Sequence, residues 1–349
     1  MIPVAEARAR IAAALVPVGR ETVALAQACG RVLAEPVIAR RTQPPLALSS
    51  MDGWALRAAD VTVAPTTLAV IGESAAGRGF EGRLGPGQAV RIFTGAPLPD
   101  GADAIVIQED SSRNGDRVTL TEVAMAGRFI RPAGQDFREG SVLVGAGRRL
   151  GARDIGLVAA GDLCEVEVHR RPRIALLASG DELTPPGQAR GPAQIVDAAR
   201  PALTAFLAAR GAEVIDLGIA RDEAADITAK ASGARDADLL VTIGGASVGD
   251  HDLTARVLAS EGADLDFWKV AMRPGKPLMF GRHGDVPLLG LPGNPVSALV
   301  CAILFLGPAV ARLCGLPLSA PPFVEVRLTA PLAANDRRED YIRASLSPG

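Results

Sequence analysis

The sequence predicts a multidomain α/β protein, and three observations carry that prediction. The chain has 349 residues, more than one ordinary hydrophobic core accommodates. Between about 36 and 137 short alternating apolar runs are divided by turn residues, the grammar of a β-rich domain. From Ile174 onward short apolar strands alternate with helical stretches. That alternation reads as βαβ units in a mostly parallel sheet with helices on both faces, placed at 171–317.

The elements follow in order. Residues 3 to 16 place Val4, Ile11 and Leu15 at helical spacing, and Pro17 ends the helix. A second helix is expected over about 22–29, closed by Gly30. Strands are expected at Thr67–Ile71, Ala89–Ile92, Ala104–Gln108 and Val118–Thr121, with turns at Asn114-Gly115 and Pro99-Asp100-Gly101. A helix at 151–160 stops at Gly161, and Cys164, Val166 and Val168 alternate as a strand. Arg170-Arg171-Pro172-Arg173 reads as a linker. Beyond it come strand 174–178, helix 201–210, strand 214–217, helix 223–232, strand 239–243 and a helix near 252–260. Strands 265–270, 278–280 and 286–289 then lead into a long apolar helix at 296–313, and Val324–Leu328 reads as one more strand. In such sheets ligands bind beyond the carboxyl ends of the strands.

Composition excludes several classes. A net charge of -2 leaves no basic excess for a nucleic-acid backbone. No uninterrupted apolar run reaches a bilayer-spanning length, so no membrane association is expected. The N-terminus reads as an amphipathic helix and not a secretion signal. Cys29, Cys164, Cys301 and Cys314 form no CxxC pair and read as reduced, buried thiols of a cytoplasmic protein. His169, His251 and His283 are too scattered to suggest a zinc site. Of 37 basic residues only Lys230, Lys269 and Lys276 are lysines.

Several loops have two readings each. Gly244-Gly245-Ala246-Ser247-Val248-Gly249-Asp250-His251-Asp252 is either a phosphate cradle, with Ser247 and inward amides holding an anion and Asp252 facing it, or a tight turn with Asp252 as a helix cap. Ser179-Gly180-Asp181-Glu182 offers paired acids for a metal or for proton transfer, or is an ordinary polar loop. Arg273-Pro274-Gly275-Lys276-Pro277 holds two cations that suit an oxyanion, or is a turn with solvated charges. In Leu291-Pro292-Gly293-Asn294-Pro295-Val296-Ser297, Asn294 suits an N-cap and Pro295 the first helical position without any ligand. Ser297 lies in the first turn, which welcomes an anion. Ser50-Met51-Asp52-Gly53-Trp54-Ala55, Thr94-Gly95-Ala96-Pro97 and Gly134-Gln135-Asp136 each read alone as turns.

Taken together, these seven motifs, in their order and spacing along the chain, resemble the MoeA family, which includes the catalytic domain of gephyrin. The resemblance runs from the first helix to the end of the chain. It implies a three-layer pterin-binding α/β module at 171–317 and an elongated helical stalk from 1–25 and 138–170. An inserted β-rich domain would occupy 26–137, and 318–349 would be the start of an incomplete C-terminal β-domain. It implies a homodimer whose cleft combines unlike domains of the two subunits. It also implies the reaction: molybdate and adenylated molybdopterin as substrates, cleavage of the phosphoanhydride, release of AMP, and molybdenum left on the dithiolene.

By the same resemblance Asp52, Asp136, Glu182, Asp222 and Asp252 are catalytic, with Glu182, Asp222 and Asp252 holding Mg2+. Thr94, Gly244, Gly245, Ser247, Arg273, Lys276, Pro292, Asn294, Pro295, Ser297 and Arg338 would bind substrate, Lys276, Ser297 and Arg338 taking molybdate. So many carboxylates around an anionic substrate would repel it without a divalent cation. The upstream adenylyltransferase and recipient molybdoenzymes are the further partners implied. The chain departs from the family at position 273, where Arg replaces the usual Lys. It departs again at Asp197-Ala198-Ala199, where the family shows Asp, then Ser or Thr, then Asn. Two other readings compete: a binding or scaffold protein of the same fold with impaired turnover, and an adenylyltransferase built on the same α/β module. The latter has no need of the first 170 residues.

Overall fold

Four neighbouring parallel strands of a six-stranded sheet fix where a ligand can sit. In the computed structural model, which describes residues 1–245, 253–260, 262–317 and 324–345, that sheet runs Glu213–Ala220, Arg173–Ser179, Leu239–Ile243, Val286–Leu291, Met279–His283, Ala263–Trp268. The first four are mutually parallel, and Met279–His283 runs antiparallel to both of its neighbours, Val286–Leu291 and Ala263–Trp268. The chain leaves Arg173–Ser179 toward Glu213–Ala220 on one side, then returns to Leu239–Ile243 on the other. The loops after Ser179 and Ile243 therefore diverge at a topological switch point. The central strands read as buried apolar runs because helices cover both faces. Ala199–Ala208 and Pro295–Leu313 contribute to one core, together with the N-terminal helix Val4–Ala14 through Val4, Ala7 and Ile11. Ala224–Ala231 and Leu253–Ser260 contribute to the other.

Contacts divide the chain into two compact units. One holds Met1–Glu35, Ala146–Gly151 and Glu165–Gly349; the other holds Pro36–Gly145 and Ala152–Cys164. The four-part layout implied by the resemblance draws its boundaries differently, its 138–170 stretch falling partly in each unit. The second unit is built on a sheet of six strands: Ala104–Ile107, Gly53–Leu56, Gln88–Ile92, Thr66–Ser74, Arg117–Leu120, Ser111–Asn114. The Asn114-Gly115 turn closes its last hairpin, with Gly115 at φ +61°, the conformation that favours glycine.

Several local expectations need correction. Residues 22–29 are not a helix: Arg20–Ala24 is a strand paired antiparallel with Glu165–His169, and only Leu25–Gln27 makes a 3-10 turn. Thr22 and Val23 are β-branched, and a distant partner strand overrides the helical spacing. The 170–173 stretch is not a free linker, because Arg170 grips Asp238 through two bonds of 2.8 and 2.6 Å and Arg173 begins a strand. The helix Ala152–Ala160 ends with Asp162, not Gly161, in the left-handed conformation, at φ +67°. Val324–Leu328 alternates like a strand but is irregular and exposed, with no strand partner among the described residues; alternation alone builds no ladder. Cys29 and Cys164 are exposed, whereas burial pushes the Cys301 thiol up to about 12 and also raises Cys314. The helix Pro295–Leu313, with a π-turn at Ala302–Leu306, has a mean hydropathy of 2.1 over 18 residues. It is thus long and apolar enough to cross a membrane, contrary to the reading of the apolar runs. Half of that stretch is buried inside the fold, so the core accounts for its apolarity.

Candidate active site

The loops at the switch point enclose a cleft of about 510 Å³ in the first unit. Ser179, Glu182, Asp222, Gly244, Gly245 and Asn294 line it, as do Pro292, Pro295 and Ser297. Residues from four separate loops, expected in the sequence as functional, thus meet in one place.

Backbone geometry explains the glycines. Gly244 and Gly245 both have positive φ, at +87° and +62°. A Cβ on Gly244 would lie 2.9 Å from the Ser179 carbonyl oxygen, and one on Gly245 would lie 2.4 Å from Thr254. Only glycine lets the chain turn here and lie against its neighbours. Beneath this turn the Thr254 hydroxyl donates to Ser179 Oγ at 2.9 Å, both residues being buried. Asn294 caps the following helix, accepting from the Val296 and Ser297 amides at 3.1 Å each. The capping and pocket-lining readings of this motif both hold, since one side chain does the first and the loop does the second.

Two of the acids that line the cleft, Glu182 and Asp222, are exposed. Asp181 and Asp222 interlock: the Asp222 amide donates to Asp181 Oδ1 at 3.2 Å, and the Asp181 amide donates to Asp222 Oδ2 at 3.4 Å. This ties the loop after Ser179 to the loop after Ala220. Ser247 and Asp252 lie outside the described residues. Among the described residues no three His, Cys, Asp or Glu side chains are grouped to hold a metal. Glu182 and Asp222 line one cleft, however, and offer hard carboxylate oxygens. Mg2+ commonly takes one or two protein carboxylates and completes its shell with phosphate and water, so the pair fits that ion.

Sequence reasoning did not name Asp197 as a site residue. It lines the cleft at 2% exposure. Its carboxylate accepts from Arg200 Nε at 2.8 Å and from the Arg200 amide at 3.1 Å, and Arg200 also bonds Asp216. The signal was an acid between the short strand Ile195–Val196 and a helix start. Ala198 and Ala199 line the same wall and present methyl groups there.

The cations stand elsewhere. Arg273, Lys276 and Arg338 do not line this cleft, although Pro277 does. Arg273 makes two bonds to Asp340, at 2.9 and 2.7 Å. The strand Met272–Arg273 pairs with Glu339–Asp340, which brings that partner into reach. Arg338 pairs with Asp336 at 2.6 Å, and its side chain and amide hold the Asp336 carboxyl down at about 2. Lys230 bonds Asp226, and Lys269 lies over Trp268. Lys276 is exposed and, among the described residues, has no ion-pair partner.

The second unit gathers its own expected residues. The Thr94 amide and hydroxyl both donate to Asp52 Oδ1 at 2.7 Å. These bonds, the amide's first, with Arg91 nearby, hold the Asp52 carboxyl below the usual value. Asp136 accepts two bonds from Arg131, both 2.9 Å. The strand Ile130–Arg131 pairs with Leu48–Ser49, which leads to Asp52. All three loops of this unit singled out in the sequence are therefore neighbours.

Comparison with known proteins shows which family the chain resembles. Residues 2–161 match the family described as "MoeA N-terminal region (domain I and II)", and residues 175–312 match "Probable molybdopterin binding domain". A molybdopterin molybdenumtransferase of Nostoc sp. is 40% identical over 335 residues, covering 93% of this chain and 77% of that protein. One from Haemophilus influenzae is 38% identical over 301 residues, covering 86% and 74%. The crystal structure of a molybdopterin biosynthesis MoeA protein from Pyrococcus horikoshii superposes with a TM-score of 0.78 at 33% identity, covering 90% of this chain and 80% of that one. With similarity of this extent in sequence and in structure, the chain belongs to the MoeA family of molybdopterin molybdenumtransferases.

Proposed function

We propose that this chain inserts molybdenum from molybdate into adenylated molybdopterin and releases AMP. Membership of the family makes it an enzyme of molybdenum cofactor biosynthesis, a transferase acting on molybdopterin. The observation that carries the finer reading is the cleft at the switch point, where a glycine-lined turn, a capped helix start and two carboxylates meet. Such a turn and helix start suit a phosphorylated ligand. Glu182 and Asp222, with Asp252, would hold Mg2+, which bridges phosphate oxygens and offsets the repulsion between acids and substrate. Asp52 and Asp136 would act on the same substrate, and Thr94 would keep Asp52 ionised. Lys276, Ser297 and Arg338 would take molybdate, with Arg273 nearby; Ser247 and the Gly244-Gly245 turn would take the phosphate. Water would cleave the phosphoanhydride, so that AMP leaves with its phosphate, and the two dithiolene sulfurs would replace two oxides of molybdate, which leave as water with the two thiol protons and two protons from solvent.

This reading includes a homodimer, a cytoplasmic location and four parts: stalk 1–25 with 138–170, β-rich 26–137, pterin module 171–317 and a C-terminal portion from 318. The resemblance supports each of these. Transfer of product to recipient molybdoenzymes and contact with the upstream adenylyltransferase belong to the same reading.

The test is AMP release from adenylated molybdopterin with molybdate and magnesium. Wild-type protein should turn over, and Lys276→Ala and Asp52→Ala should each lose about 100-fold or more of kcat, the scale of one lost transition-state contact. Wild-type protein that binds the pterin yet releases no AMP would sink the enzymatic reading and favour a scaffold.

A further inference from the structure

Arg91 lies on the strand Gln88–Ile92, two residues before Phe93 and three before Thr94. Its guanidinium stacks 4.7 Å from the centre of the Phe93 ring and 5.3 Å from that of the Trp54 ring. Nη1 donates to the Gly53 carbonyl at 3.2 Å and Nη2 donates to Gln108 Oε1 at 2.7 Å. Gln108 in turn donates its amide to the Asp52 carbonyl at 3.1 Å. One side chain therefore touches the residue after Asp52, the residue before Thr94, and the residue that holds the Asp52 backbone. Trp54 is itself fixed, buried to 3% exposure with its Nε1 donating to Ser111 Oγ at 2.8 Å. A planar guanidinium can stack on rings and donate in its own plane together, which an ammonium cannot.

The result is an asymmetric carboxylate. Asp52 Oδ1 receives both Thr94 bonds, while among the described residues Oδ2 has no partner. We infer that Arg91 is a positioning residue for Asp52: it clamps the two turns that carry Asp52 and Thr94, so that Oδ1 is held and Oδ2 is the oxygen offered to substrate or cation. This rests on the reading that Asp52 acts in the reaction. Arg91 reaches the substrate only through Asp52, so its loss should cost turnover and not affinity.

The experiment is steady-state AMP release by purified full chain for Arg91→Ala, Arg91→Lys, Asp52→Ala and the double variant, with thermal melts beside it. Arg91→Ala should lose about 10- to 100-fold of kcat with KM changed less than about 3-fold. Arg91→Lys keeps charge without the fork and should recover only part of the loss. In the Asp52→Ala background, Arg91→Ala should cost nothing further, since coupled residues are non-additive. A merely structural role predicts the same factor in both backgrounds and a fall in melting temperature that tracks it; that result overturns the inference. So does Arg91→Ala at wild-type kcat beside a crippled Asp52→Ala. If Asp52→Ala itself turns over like wild type, the site reading fails, and the clamp has no reacting group to serve.

Discussion

The cleft of the parallel sheet and the loops around Asp52 both present carboxylates, but they hold them differently. In the cleft, two left-handed glycines and a capped helix start shape the turns, an interlock between Asp181 and Asp222 joins loops distant in sequence, and Arg200 holds the buried Asp197. Around Asp52 and Asp136, each acid has a side-chain partner of its own, Thr94 or Arg131. A parallel sheet presents the ends of many strands at one place, and its loops must be shaped to share it. A mostly antiparallel unit presents turns that a single side chain can fix. The first arrangement ties the site to stability, and the second leaves ionisation open to adjustment by one residue.

That contrast can be broken by substitution, beginning with the largest expected effect. Gly245→Ala puts a methyl against Thr254 at 2.4 Å and forces φ +62° on alanine. It should cost about 3 kcal/mol in urea unfolding; an unchanged midpoint would show that the turn yields easily. Arg200→Ala leaves Asp197, at 2% exposure, without its guanidinium. A loss of about 3 kcal/mol is expected, and Asp197→Asn in the same background should return part of it. Asn294→Ala removes the cap at Val296 and Ser297 and should cost about 1 kcal/mol, read by thermal melts. Thr94→Val is the smallest. It removes one of two bonds to Asp52 Oδ1 and should leave the melting temperature alone.

Thr94→Val should show itself in pH dependence instead. Asp52 has a depressed folded-state value, so what its ionised form contributes to stability is present above the unfolded value and lost as pH falls through the folded one. With the hydroxyl gone the folded value rises. The acid limb of AMP release, where it reports Asp52, should then shift to higher pH than in wild type. A limb that stays in place would assign the titration to another acid.

Much of this was legible in the sequence because local rules govern it. The strand and helix alternation from Ile174, the Asn294-Pro295 helix start and the Asn114-Gly115 hairpin follow from turn chemistry and period. The gathering of Ser179, Gly244 and Asn294 was legible only through the rule for strand ends. What failed depended on distant partners. Arg20–Ala24 became a strand because Glu165–His169 lies beside it, and Val324–Leu328, with no strand partner among the described residues, stayed irregular. Arg273 looked like a free cation, yet Asp340, 67 residues on, occupies its guanidinium. The Arg91 stack was hidden for the same reason: Trp54 and Arg91 are far apart along the chain and meet across the strand pair Gly53–Leu56 and Gln88–Ile92.

The pairing of Glu339–Asp340 with Met272–Arg273 has a consequence for proteolysis. It is a ladder of two residues with one ion pair, and the backbone from 324 to 337 is exposed without a ladder of its own. Covalent continuity keeps Asp340 near Arg273 at an effective concentration on the millimolar scale. A single nick between 324 and 337 would replace that with the bulk protein concentration, too low for so small a contact to survive. Arg273 would then regain an unpaired guanidinium beside Lys276, so a protein clipped in storage and an intact one would carry different charge at that turn.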